Sequence, residues 1–161
     1  MLSALFDASY SEPGLNFSPQ CHVRLQKENS NSLTISLFDN GFDGWHRTAL
    51  SSSGLILHLD MQAMHASLVL RYVTPDSTLA DKTGSVEPLE DGNDFIYWGG
   101  TPLLSEHTSD GSRVVFEARL ADPTGFWYRA RKANFTTAPT ASPGTYVQSG
   151  HTSGPTKWFV S

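Results

Sequence analysis

Leu33-Thr34-Ile35-Ser36-Leu37 and Leu55-Ile56-Leu57-His58-Leu59-Asp60 are the stretches that decide the fold. Each puts an aliphatic residue at every second position. Successive side chains of a β-strand point to opposite faces, so a period of two marks a strand with one face turned to a core. The same spacing recurs where Leu68, Leu70 and Tyr72 alternate with Val69, Arg71 and Val73. It returns where Val114, Phe116, Ala118 and Leu120 alternate with Val115, Glu117 and Arg119, and where Phe126, Tyr128 and Ala130 alternate with Trp127, Arg129 and Arg131. Shorter aromatic or β-branched runs lie at Cys21 to Lys27, Asp94 to Trp98, Thr145 to Gln148 and Lys157 to Val160. The expectation is about nine short strands.

Turn chemistry separates these runs: Asp39-Asn40-Gly41, Asp43-Gly44, Ser53-Gly54, Asp91-Gly92-Asn93, Ser109-Asp110-Gly111 and Asp122-Pro123-Thr124-Gly125. The connection from Leu120 to Phe126 is short enough for a hairpin, which makes the strands flanking it antiparallel neighbours. Helical signal is confined to Met61 to Ala66 and Leu2 to Tyr10, one turn each. Crossover helices are thus missing, and the sheets are expected to be antiparallel. The fold class is all-β: an antiparallel β-sandwich, jelly-roll-like, because the long, unequal connections suit strands that pass between two sheets. A closed lipocalin-like β-barrel is the alternative.

Residues 1–161 read as one β domain, long enough to bury about 70% of the unfolded chain's surface without staples. Residues 1–19 form an N-terminal arm. Residues 74–93 form a long loop carrying Asp76, Asp81, Glu87, Glu90 and Asp91, expected to be mobile or ordered by a partner. Residues 136–155 are a closing segment rich in Thr, Ser, Pro and Gly.

Composition removes several function classes. A net charge of -5 offers no basic field for phosphates, so nucleic acid is not an expected partner. The single cysteine, Cys21, excludes an internal disulfide and a Cys-based metal cluster. The apolar piece Leu2 to Phe6 is too short for a signal-peptide core, and no run approaches a membrane span, so neither export nor a membrane span is expected, leaving the cytoplasm or a virion surface.

No metal or cofactor is expected. In Asp39-Asn40-Gly41-Phe42-Asp43-Gly44 the first, fifth and sixth positions fit a calcium loop, but the third is Gly41 and the twelfth is Leu50 where a bidentate Glu is required. No two of His22, His46, His58, His65, His107 and His151 stand at metal-ligand spacing. No nucleophile elbow, phosphate-binding loop or dinucleotide fingerprint occurs, and no catalytic residue is assigned.

The candidate ligand-binding residues are Trp127, Arg129, Arg131, Trp45, Asp43, His46 and Trp98. Trp127 shares a strand face with Arg129 and Arg131, Trp45 sits in a turn with Asp43 and His46, and Trp98 ends a strand before Gly99-Gly100. An aromatic beside directional polar groups suits a sugar, which offers an apolar face and hydroxyls, and equally suits a protein interface. The expected function is a non-enzymatic recognition module for glycan or protein surfaces that self-associates, of the kind found as a protruding domain of a viral capsid or a cytosolically made lectin. The alternatives are a lipocalin-like barrel that binds or transforms a small apolar molecule and a self-assembling structural protein.

Overall fold

The computed structural model describes residues 15, 20–74, 76–119, 127–133, 145–147 and 158–160. The alternating runs of the first half become β1 (Gln20–Glu28), β2 (Ser32–Asp39), β3 (Ser53–Asp60) and β4 (His65–Val73), hydrogen-bonded in that order as one antiparallel sheet. Tight turns set this order. Asn29 Oδ1 accepts the backbone N–H groups of Asn31 and Ser32 between β1 and β2, and Asp60 Oδ1 accepts those of Gln62 and Ala63 between β3 and β4. A second antiparallel sheet contains β5 (Ser85–Pro88), β6 (Asp94–Tyr97), β7 (Leu103–His107) and β8 (Val114–Arg119), again in sequence order. β9 (Thr145–Val147) and β10 (Trp158–Val160) form an antiparallel pair.

The sandwich stands, and neither sheet closes into a barrel. Its wiring is simpler than a jelly roll: both sheets are meanders, and among the described residues no strand passes from one to the other. Among the described residues there is no α-helix, so none is long and apolar enough to cross a membrane. The expected loop 74–93 contains β5 and is fastened to the first sheet. Ser52 Oγ donates to Asn40 O at 2.6 Å and accepts from Ala80 N at 2.8 Å, while Asn40 Nδ2 donates to Thr83 O at 3.0 Å.

The two sheets meet through Phe38, Ile56, Leu70 and Tyr72 on one side and Val86, Ile96, Trp98 and Leu103 on the other. β5 leads this contact, lying against β1, β2 and β3. Gly84 precedes β5 with φ +114°, and a Cβ there would lie 2.3 Å from Phe38 Cδ1. Only glycine brings the chain into the second sheet along this path. The opposite face of the first sheet is also apolar: Ile35, Leu37, Leu55, Leu57, Leu59 and Ala66 are buried there, with Leu15 packed against them.

The first sheet is therefore covered on both faces, where alternation predicts one buried face per strand. A β-bulge adds to the departure. Ile56 pairs with Leu70 but Leu57 pairs with Leu68, so Val69 is the extra residue. Because one inserted residue reverses the side-chain alternation, Leu68 joins the outer core while Leu70 and Tyr72 join the core between the sheets. The expected common face of Leu68, Leu70 and Tyr72 is thus divided.

The expected strand from Phe126 to Arg131 is not formed in its described part. Residues 127–133 run without a ladder across the far face of the second sheet. Tyr97 Oη donates to Trp127 O at 3.2 Å, Gly84 N donates to Tyr128 O at 3.4 Å, and Ala130 exchanges two backbone bonds with Ser85 Oγ, at 3.2 and 3.3 Å. Lys132 Nζ bonds Glu106, which is buried and also accepts from Asn93 Nδ2. These bonds turn the segment into a strap. β8 pairs with β7 instead, and Val114, Val115 and Phe116 all remain substantially exposed on this edge strand. Residues 120–126, which hold the expected hairpin turn, Phe126 with them, lie outside the described residues, as do the structured parts expected of Leu2 to Tyr10 and most of 136–155.

Candidate functional site

The strap brings two of the expected site residues beside one that sequence spacing does not reveal. β1 carries a bulge: Cys21 pairs with Phe38 and Arg24 with Ser36, leaving His22 and Val23 opposite Leu37. His22 takes φ +56° to make it. A non-glycine residue in this region carries strain on the order of 1–3 kcal/mol, held in place by its surroundings. Both ring nitrogens of His22 are shielded from solvent and have no hydrogen-bond partner among the described residues.

Burial is the main cause of a lowered His22 pKa, followed by the positive charges of Arg24, Arg129 and Arg131, while the Val86 backbone pulls the other way without reaching hydrogen-bond geometry. Three guanidinium groups from β1 and the strap thus act on one imidazole. Glu87 of β5 places a negative charge beside the strap: its Oε1 lies 3.8 Å from Arg131 Nε, and its Oε2 is buried with no hydrogen-bond partner among the described residues. Arg129 Cζ lies 5.6 Å from the Tyr128 ring centroid, and Trp127 and Tyr128 are each about half exposed. In a chain of net charge -5 this is a local concentration of cations next to open aromatic surface.

Of the expected site residues, Trp127, Arg129 and Arg131 share the strap and are all exposed. Tyr128, expected in the core, is exposed as well. Trp45, Asp43 and His46 belong to a different place, the connection between β2 and β3. Asp43 Oδ1 accepts the backbone N–H groups of Trp45 at 2.7 Å and His46 at 2.6 Å, and His46 Nδ1 lies 3.3 Å from Asp43 Oδ2. Those two backbone bonds, His46 first, hold the Asp43 carboxyl below its ordinary pKa. Trp45 is 86% exposed, so this built turn presents a bare indole to solvent.

Trp98 is a correction. It is fully buried between the sheets, edge-on to Phe38 at 5.9 Å, and its Nε1 donates to Ser105 Oγ at 2.6 Å. Ser105 Oγ lies 2.9 Å from His107 Nε2. The indole can only donate, so Ser105 Oγ accepts from Trp98 and shares a second hydrogen bond with His107 Nε2, which ties the two buried rings together. Burial holds His107 below the ordinary histidine range, consistent with a neutral ring. The Tyr72 ring lies tilted against His107, centroids 4.9 Å apart, and its hydroxyl donates to Asp94, the cross-strand partner of His107. Burial, first, and then the Tyr72 bond act on Asp94 in opposite senses, with a net upward shift. Ser105 and His107 have the separation of a nucleophile and its base, but both are buried in the sheet interface, so this network joins the sheets. No group of three or more His, Cys, Asp or Glu among the described residues is arranged to hold a metal.

His22, Arg24 and Glu87 carry no local signal for the site, since they come from β1 and β5 and meet the strap only through the fold. Comparison with known families finds that the model of the family described as arylsulfotransferase (ASST) matches residues 6–121. The matched stretch includes both four-stranded sheets with His22, Arg24 and Glu87, and ends before the strap. No curated protein and no solved structure matches the chain.

Proposed function

Because the chain belongs to the arylsulfotransferase (ASST) family, we propose that the patch formed by His22, Arg24, Trp127, Tyr128, Arg129 and Arg131 binds the sulfate ester of an aromatic molecule. The observation that carries this reading is the gathering of Arg129, Arg131 and His22 next to half-exposed Trp127 and Tyr128. An aryl sulfate has two ends of different chemistry. Its sulfate oxygens accept charge-assisted hydrogen bonds from guanidinium forks, and its ring stacks on aromatic or guanidinium planes. The strap offers both within a few residues. What these side chains supply is capture and orientation of the ester, the binding half of a sulfuryl transfer.

Titration of the protein with 4-nitrophenyl sulfate, followed by calorimetry, tests the reading. The ester should bind more tightly than 4-nitrophenol, and Arg129→Ala should weaken it about tenfold, as expected for one charge-assisted bond of ~1.5 kcal/mol. The melting temperature should hardly change, because Arg129 is exposed. Equal affinity for ester and phenol, or full affinity in Arg129→Ala, would overturn the assignment.

A second reading, recognition of glycan or protein surfaces, draws on the 86% exposed Trp45 in the turn organised by Asp43. On this reading Trp45→Ala abolishes binding on a glycan array and leaves 4-nitrophenyl sulfate binding intact. Loss of neither function in Trp45→Ala removes it.

A further inference from the structure

We propose that His22 is a proton-gated cation of the anion patch: it is neutral while the patch is empty and takes up one proton from solvent when an anion settles on Arg129 and Arg131. The inference rests on the sulfate-ester reading and goes beyond it by giving a role to a β1 residue whose imidazole the guanidinium charges act on.

Three observations carry it. First, the chain holds His22 at φ +56° in a bulge of β1, a conformation that a β-strand would otherwise avoid. Second, both ring nitrogens are shielded and unbonded among the described residues, so the imidazole has no partner that would fix its protonation state. Third, the charges around it are predominantly positive. Arg24 comes from its own strand and Arg129 and Arg131 from the strap, while on β5 the Glu87 carboxylate is engaged by Arg131 and the Val86 backbone contributes a weaker opposing effect. An anion placed on Arg129 and Arg131 cancels the repulsion that keeps the proton off.

Linkage makes the effect reciprocal. If the anion raises the proton affinity of His22 by a given factor, protonation of His22 raises the affinity for the anion by the same factor. With His22 held below the ordinary histidine value when the patch is empty, binding of a monoanion should strengthen as the pH falls from about 8 to about 5. The charge of the probe itself does not change in this window, since an aryl sulfate is a strong acid's anion.

The test follows the His22 imidazole resonance by NMR through a pH titration, with the signal assigned by its loss in His22→Gln. In the wild type, 4-nitrophenyl sulfate should raise the His22 midpoint, and its affinity should increase severalfold across the titration, on the order of tenfold for each unit by which the midpoint moves. In His22→Gln the affinity should be flat with pH. In Arg129→Ala/Arg131→Ala without any probe, the His22 midpoint should already be raised. Binding of the probe with no movement of the His22 midpoint, or a midpoint unaltered in the double variant, overturns the gate and leaves the binding reading in place. Absence of probe binding at every pH overturns both. A second variant, His22→Asn, distinguishes gating from disruption of the bulge, because asparagine tolerates positive φ and should keep the melting temperature while losing the pH dependence.

Discussion

Gly84→Ala should be among the most damaging single-methyl additions in this protein, and its cost can be divided into parts. The new Cβ would stand 2.3 Å from Phe38 Cδ1, 2.5 Å from Cε1 and 2.6 Å from Cγ, inside the van der Waals surface of a ring that is completely buried. Phe38 cannot swing away freely, because it lies edge-on to Trp98, itself fully enclosed. Overpacking of this kind costs ~1–3 kcal/mol, and an alanine forced to positive φ adds ~1–2 kcal/mol. The sum, about 2–5 kcal/mol, is a large share of the ~5–15 kcal/mol that holds a domain folded. Gly92→Ala is the control, since Gly92 has φ +88° but nothing within 4 Å of an added Cβ. It should carry the backbone cost alone. Urea unfolding followed by tryptophan fluorescence gives both values, and their difference, ~1–3 kcal/mol, is the clash. Replacing Phe38 by Leu in the Gly84→Ala background should recover part of that difference, as expected for residues in contact. If Gly84→Ala costs no more than Gly92→Ala, the packing of β5 against the first sheet is not as described.

Ser105→Ala should leave the buried Trp98 Nε1–H without an acceptor and His107 Nε2 without its Ser105 partner, at ~1–3 kcal/mol for each group; a melting temperature equal to wild type would show that this network does not stabilise the second sheet. His22 and His107 are both held below the ordinary histidine pKa by burial, so from ~6.5 downward the unfolded chain binds more protons than the folded one. Stability should therefore be retained above that value and decline as pH falls through the lowered folded values, and His107→Gln should flatten the decline measured by urea unfolding at a series of pH values.

Most of the strand content is legible in alternation alone, and the reason is visible in β2 and β3, where aliphatic residues at 33, 35, 37, 55, 57 and 59 all reach one core. Alternation fails where another layer covers the second face. Ile56 reads as an outward residue until the second sheet is placed over it, and Leu68 separates from Leu70 because of one inserted residue. β7 escapes notice because its inward positions after Leu103 are Ser105 and His107, polar groups satisfied by Trp98 and by one another. Trp98, read as a site residue from its place before Gly99-Gly100, is core for the same reason: its one polar atom finds Ser105. Trp127, Arg129 and Arg131 could be picked out by their chemistry, an aromatic with two arginines in an acidic chain. His22 could not be picked out, because Arg129 and Arg131, whose charges act on it, are more than a hundred positions away in sequence.

The sequence-order wiring of both sheets governs how the chain searches for its structure. Every ladder of the eight-stranded sandwich joins strands adjacent along the chain, so each closes over the single connection between them, and the entropy lost grows only slowly with the length of that connection. Proteins dominated by such local pairings cross their folding barrier faster than sandwiches whose strands must find partners from distant parts of the chain. The long-range step is deferred to one event, the docking of two nearly finished sheets across the connection that ends at Gly84, and the strap can close over the far face only after the second of them exists.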